Sequence, residues 1–284
     1  MNRAAIDKVQ RKRRLAWMLL VPSVIYILVF LIVPMFNMLI LSLKGQDGTL
    51  SFENYAYVLT NPVIRNVFAE TLRISLIVMI ICLVLGYPVA YIMTVCSRKM
   101  NQLITLCIMI PFWTSLLVRT YAWMILLQQK GVVNQWLLST GIIGGPVKLM
   151  YNTTGLVIGM VHVMLPYMIL SLYSVMDGID RSLITASSNL GANGMITFFK
   201  IYLPLSMNGV ISGCVLVFVL NLGFYILPAL MGGSNNIMVS QVIAEYVNKM
   251  LNWNLAAALS FILLLGTLLI VGVSRKVFKI EKLM

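Results

Sequence analysis

The chain has 284 residues, of which 60% are hydrophobic and only 10% charged, and its formal net charge is +13. A soluble globular protein carries about 25% charged residues, so the composition excludes a water-soluble enzyme, a secreted disulfide scaffold and a disordered chain. The positive charge lies in short runs beside apolar segments rather than along one face, which argues against nucleic acid as a partner.

Six apolar stretches are long enough to cross a membrane, since a helix needs about 20 mostly apolar residues to span a bilayer. None of them alternates between apolar and polar residues, as the strands of a membrane barrel would. The sequence therefore predicts an all-α polytopic membrane protein with six transmembrane helices, folded as one domain over residues 1–284. In chain order the stretches cover residues 15–43, 72–95, 103–127, 155–175, 210–230 and 255–273.

The first stretch follows a basic run at residues 11–14. It is too long for a secretory signal peptide, and no small-residue cleavage pattern follows it. We therefore expect a retained membrane anchor.

The positions of Lys and Arg predict the orientation, because cytoplasmic loops carry an excess of both. With the N-terminus in the cytoplasm, the tails 1–14 and 274–284 and the loops 96–102 and 176–204 hold 14 of the 21 basic residues. The outer loops hold 5, and Arg73 and Arg119 lie in or beside spans. Six spans then leave both termini in the cytoplasm, so the charge reports orientation. In the outer loops, about 44–71, 128–154 and 231–254, we expect short helices at the membrane interface.

The sequence offers no catalytic constellation. Its eight acids fall in predicted loops or tails, and no Ser/His/Asp set or phosphate-binding loop is present. The four cysteines, which have no partner at metal-ligand spacing, predict neither a disulfide nor a metal site. We expect a transport or structural role rather than catalysis, with no catalytic residue and no metal. These cysteines are Cys82, Cys96, Cys107 and Cys214.

Arg119 is a strong charge well inside the third apolar stretch. A charge in lipid marks a functional site or a paired contact by default, but an arginine that reaches the interface is an equal alternative. His162, four residues before Pro166, is more often a hydrogen-bonded packing residue than a proton relay.

The loop at 176–204 carries the most specific pattern. Asp180 is a candidate N-cap of a short helix, and Gly191 is a candidate left-handed stop. A small patch at 186–188 lets another backbone come close, which favours docking of a cytoplasmic protein over a helix that rests on the bilayer surface.

This loop resembles the so-called EAA loop of inner-membrane permease subunits of binding-protein-dependent ABC importers. The family pattern of Glu-Ala-Ala, then Gly, then Ile-x-Leu-Pro corresponds to 185–187, Gly191 and 201–204. Thr185 stands where glutamate is usual and Ser187 where the second alanine is usual. The resemblance implies that the loop couples this chain to an ATPase subunit. The coupling residues that it implies are Thr185, Ala186, Ser187, Gly191, Phe198 and Pro204.

The string at 86–91 resembles the second-span stretch of the same family, and the strings at 110–121 and 224–233 are similar to those of spermidine/putrescine-type permeases. The resemblance implies a type I importer permease in the bacterial inner membrane that forms half of a translocation pathway, most simply for polyamines. Opines, aminophosphonates and other organic cations are alternative solutes, and a membrane enzyme or scaffold is a weaker alternative function. The implied partners are a second permease, a dimer of cytoplasmic ATPase subunits that binds ATP and magnesium, an extracytoplasmic substrate-binding protein and membrane lipid. This chain itself would bind no cofactor.

A polycation favours carboxylates along its route, and no predicted span contains one. Aromatic faces could take their place through cation–π contacts, although helix packing is the simpler role of each ring taken alone. Arg119 would repel a polycation from the route, so we expect it to pair instead with a group in a neighbouring helix. The candidate residues of the passage are Trp113, Arg119, Tyr121, Trp123, Tyr167, Asn221 and Tyr225.

Overall fold

The computed structural model describes residues 17–45 and 47–278. The predicted N-terminal tail with its basic run, and the end of the C-terminal tail from residue 279, lie outside the described residues.

The described chain is helical, and its helices alternate between long apolar ones and short connecting ones. The long ones are α1 (Trp17–Ser42), α3 (Pro62–Val95), α7 (Thr153–Met176), α9 (Gly194–Leu222) and α12 (Trp253–Phe278). The others are α2 (Glu53–Thr60), α4 (Arg98–Trp113), α5 (Leu116–Leu127), α6 (Val132–Ser139), α8 (Arg181–Asn189), α10 (Ile226–Met231) and α11 (Val239–Asn248).

Five helices are long and apolar enough to cross a membrane, and a bent pair makes a sixth span. The predicted polytopic helical fold is thus confirmed, and the segments 44–71, 128–154 and 231–254 contain the short helices α2, α6 and α11. Two of the predicted spans are nevertheless wrong as continuous helices, because the third and the fifth each contain a break.

The third predicted span bends by 99° between α4 and the segment that starts at Leu116. Thr114 and Ser115 are extended, with ψ of 140° and 134°. The carbonyl oxygen of Pro111 accepts both the N–H and the hydroxyl of Thr114, at 3.3 and 2.9 Å. This local bonding competes with the helical pattern and ends α4.

The fifth predicted span is interrupted after Leu222. Pro228 has no N–H to donate to the carbonyl oxygen of Phe224, four residues earlier. The hydroxyl of Ser240 donates to that oxygen instead, at 2.6 Å. A side chain of α11 therefore satisfies the carbonyl oxygen left free at the break. After the break, the chain resumes as the short helix α10.

Helices α3, α7 and α9 form the centre of the bundle. Four methionines of α7, at positions 160, 164, 168 and 176, are almost fully buried there. Gly209 and Gly213 of α9 admit α7 so closely that an added Cβ would lie 3.0 Å from Val175 Cβ and 2.8 Å from Met168 Sδ. Small residues at such positions let membrane helices approach closely.

A polar network ties α3 and the start of α7 to the segment between α10 and α11. The amide nitrogen of Asn236 donates to Glu70 Oε1 at 2.9 Å and to Thr153 Oγ1 at 2.8 Å. Arg73 also pairs with Glu70, at 3.1 Å. The expectation that no span contains a carboxylate is thus wrong, because α3 begins ten residues before the predicted span and includes Glu70.

Candidate functional site

The loop between α7 and α9 folds as a helix and a turn. Asp180 Oδ1 accepts the N–H of Ser182 at 2.8 Å and so caps α8. Hydrogen bonding from the side chain and the backbone N–H of Ser182 holds the pKa of the Asp180 carboxyl below its usual range. A carboxyl with a lowered pKa contributes stability that is lost only as pH falls through that pKa, so the cap is intact at neutral pH. Gly191 ends the helix with φ of +80°.

A buried hydrogen bond joins the two arms of the loop. The hydroxyls of Ser187 and Thr197 lie 2.7 Å apart, and both side chains are buried. An alanine at position 187 could not make this bond, which gives a physical reason for the departure from the family pattern. The guanidinium of Arg181 donates to the carbonyl oxygen of Thr94, so the loop is also bound to the end of α3.

Phe198 lies in an aromatic cluster rather than on the open surface of the loop. Its ring packs edge-on against Tyr87 and Tyr91, with centroids 5.9 and 6.3 Å apart, and stacks on Tyr202 at 6.2 Å. Among the other coupling candidates, Thr185, Ala186, Gly191 and Pro204 are exposed. Phe198 is thus placed to hold the loop on α3, while the exposed positions can meet a partner.

Five large apolar side chains of the loop are exposed among its polar ones. We call the following five exposed side chains the loop patch: Leu183, Leu190, Met195, Ile196 and Phe199. Leu190 is 89% exposed and Phe199 59% exposed. Clustered exposed apolar side chains mark a surface that another protein or a membrane covers.

Two of the passage candidates lie near the bend of the third span. Trp123 packs edge-on against His162, with centroids 5.5 Å apart. Arg119 is half-buried, and its Nε has no hydrogen-bond partner in the described chain. The Nδ1 of His162 is likewise buried without a partner. The described chain therefore leaves the hydrogen-bonding capacity of both buried atoms unsatisfied.

The remaining candidates of the third and fourth spans are dispersed. Phe112 packs edge-on against Tyr167 at 5.1 Å, whereas Trp113 and Tyr121 are exposed, Trp113 by 88%. A cavity of about 470 Å³ lies between α4 and α7, lined by His162 and otherwise by aliphatic side chains, prolines and a cysteine. The structure therefore does not gather all the predicted residues around one space.

Asn221 and Tyr225 flank the break after α9. Asn221 is fully buried, and neither its amide oxygen nor its amide nitrogen has a partner within the described residues. Tyr225 is half-exposed and borders a cleft of about 250 Å³. The opposite wall of this cleft is α11, with Gln241 and Glu245.

Sequence reasoning expected a short helix in the loop at 231–254 but did not identify Glu245 as a site residue. The available signal was helical spacing, since Gln241, Glu245 and Lys249 recur every four residues and so share one face of a helix. Glu245 also pairs with Lys249, at 3.3 Å. Among the described residues, no group of three or more His, Cys, Asp or Glu could hold a metal ion.

Comparison with known proteins gives consistent results. Residues 83–277 match the family described as binding-protein-dependent transport system inner membrane component. The chain is 35% identical over 223 residues to the spermidine/putrescine transport system permease protein PotB of Escherichia coli (strain K12), covering 78% of this chain and 81% of that protein. It is 34% identical to PotB of Haemophilus influenzae over 241 residues, covering 83% and 84%.

Solved structures resemble the fold as well. A bacterial alginate ABC transporter, crystallised in complex with an alginate pentasaccharide-bound periplasmic protein, superposes with a TM-score of 0.75 at 16% identity, covering 95% of each chain. Similarity at this identity concerns the fold alone.

Proposed function

Because this chain belongs to the family of binding-protein-dependent transport system inner membrane components, and is a permease subunit of an ABC importer, we propose that its solute is a polyamine such as spermidine or putrescine. The relatives of known name supply the chemical class of the solute. The half-exposed aromatic rings at Tyr121 and Tyr225 suit a cation that travels without a deep carboxylate.

The proposed orientation places both termini in the cytoplasm and the chain in the bacterial inner membrane. Its support is the excess of Lys and Arg in the segments assigned to the inside. The loop patch then faces the cytoplasm, and the cleft at Tyr225 faces the outside.

The proposed partners complete an importer around this chain. The loop patch would seat in a cytoplasmic ATPase subunit, which binds ATP and magnesium, while this chain carries no catalytic residue. A second permease would form the other half of the passage and supply acceptors for Arg119. An extracytoplasmic protein would deliver the solute, as suggested by the periplasmic protein bound to the structural relative.

One observation carries the coupling mechanism. Helix α9 is continuous over 29 residues. It runs from Gly194, in the loop at 176–204, to Leu222, at the break beside Tyr225. A helix of this length is about 44 Å long. Movement of the loop with the ATPase would therefore move the far end of α9. This movement would open or close the outer side of the passage in an alternating-access cycle.

Co-purification tests the proposed partnership. A tagged form of this chain, extracted in mild detergent, is expected to bring with it an ATPase subunit and a second permease, identified by mass spectrometry. The assembled complex is expected to hydrolyse ATP faster when the solute-loaded binding protein is added. A chain that is fully extracted, folded and free of any ATPase would contradict the proposal.

A further inference from the structure

The cleft between α10 and α11 differs in character from the larger cavities of the bundle. The cavity between α4 and α7 and the one between α3, α9 and α12 are lined almost wholly by apolar side chains. The cleft of about 250 Å³ instead combines a carboxylate, two amides and a phenol ring. These four side chains are Tyr225, Gln241, Glu245 and Asn248, and the side chain of Lys249 lines the same cleft.

We propose that this cleft binds one primary ammonium group of the cationic solute, held by the Glu245 carboxylate against the ring of Tyr225. This inference rests on the proposed function, because it names the contact that an aliphatic amine would make. A primary ammonium carries three N–H donors and a positive charge. A carboxylate, an amide oxygen and an aromatic face are the groups that satisfy both.

The carboxylate of Glu245 is free to change partners. Its charged partner in the described chain is Lys249, on the next turn of the same helix, whose side chain is 76% exposed. An exposed pair at this spacing contributes little, so an ammonium of the solute could replace the lysine. Glu70 differs, since its two oxygens are already held by Arg73 and Asn236.

Both walls of the cleft are fixed relative to each other. The hydroxyl of Ser240 donates to the carbonyl oxygen of Phe224, next to Tyr225, and so fastens α11 to the break. Gln241 Oε1 accepts the N–H of Met238 at 2.8 Å, which fixes the start of α11. The ring and the carboxylate therefore face a cleft whose shape the fold holds open.

The position of the cleft suits the first contact of a delivered cation. It borders the break at the end of α9, the helix that begins in the loop at 176–204. A cation bound here would be at the point where movement of α9 changes the outer side of the bundle.

Equilibrium binding of labelled putrescine to the assembled transporter, purified without its binding protein, tests the proposal. Glu245→Gln keeps the shape of the side chain and removes its charge, and we expect about a fivefold loss of affinity. Lys249→Gln removes the competing cation, and we expect affinity to rise by about twofold. If the two substitutions acted only by disturbing the fold, both would lower the affinity for putrescine, and Lys249→Gln would not raise it.

Glu53→Gln provides the matched control, since Glu53 is an exposed acid of another outer segment, and it should bind putrescine as the unmodified transporter does. Unchanged binding in Glu245→Gln, with putrescine uptake intact, would overturn the cleft and leave the proposed function standing. If the unmodified transporter neither binds nor imports polyamines, the proposed function itself fails.

Discussion

Replacing Gly191 by valine is expected to lower solute uptake about tenfold or more. The residue has φ of +80° and forms the turn that sets α8 against the start of α9. Left-handed backbone costs an L-residue roughly 1–2 kcal/mol, and a β-branched residue is an outlier there. Since no atom lies within 4 Å of an added Cβ, the backbone alone opposes the substitution. We expect a loop of altered shape that no longer follows the ATPase, measured as uptake per amount of chain in the membrane.

The controls separate strain from coupling. Gly141→Val introduces the same kind of strain, at φ of +71°, in the segment between α6 and α7, where an added Cβ also meets no atom within 4 Å. Gly194→Ala changes a glycine of the same inner loop that has no positive φ. Both variants should retain most of the uptake. Loss in Gly141→Val equal to that in Gly191→Val would show that any strained turn impairs the chain, and would remove the special role of the loop.

Placing a carboxylate in the loop patch, as Leu190→Glu or Phe199→Glu, is expected to abolish association with the ATPase. Both side chains are exposed, so Leu190→Glu should leave the packing of the chain intact, whereas Phe199 also packs edge-on against Phe198, with centroids 5.2 Å apart. An unpaired charge buried at an interface costs several kcal/mol, which corresponds to a loss of binding of about a hundredfold or more. The measurement is the amount of ATPase recovered with the tagged chain.

Control residues matched to Leu190 and Phe199 lie far from the loop patch in the sequence. Leu50 and Phe52 are exposed by 77% and 74% in an outer segment, so Leu50→Glu and Phe52→Glu add the same charge away from the loop. These variants should recover the ATPase in normal amounts. Full recovery with Leu190→Glu and Phe199→Glu would contradict docking through the loop patch.

The long-range pattern of the fold was predictable from hydrophobicity, because each spanning helix needs a long apolar run. The cap at Asp180 and the turn at Gly191 were predictable as well, since both depend on neighbours within a few residues. The breaks at 114–115 and 223–225 were not. Each depends on which donor or acceptor meets a backbone group after folding, as Ser240 meets Phe224.

The candidate site was predictable only in part for the same reason. Composition placed Trp123 and Tyr225 on apolar spans but could not say that one ring meets His162 and the other borders a cleft with Glu245. Glu70 was misplaced because its helix extends beyond the apolar run, and its partner Asn236 lies 166 residues away.

Uptake of labelled spermidine and putrescine in a strain that lacks this chain tests the central claim most directly. We predict that the deletion abolishes uptake of at least one polyamine, that the unmodified chain restores it, and that Gly191→Val does not. Uptake of unrelated solutes should be unchanged throughout. Normal uptake of both polyamines in the deletion strain, with other polyamine importers removed, would contradict the account.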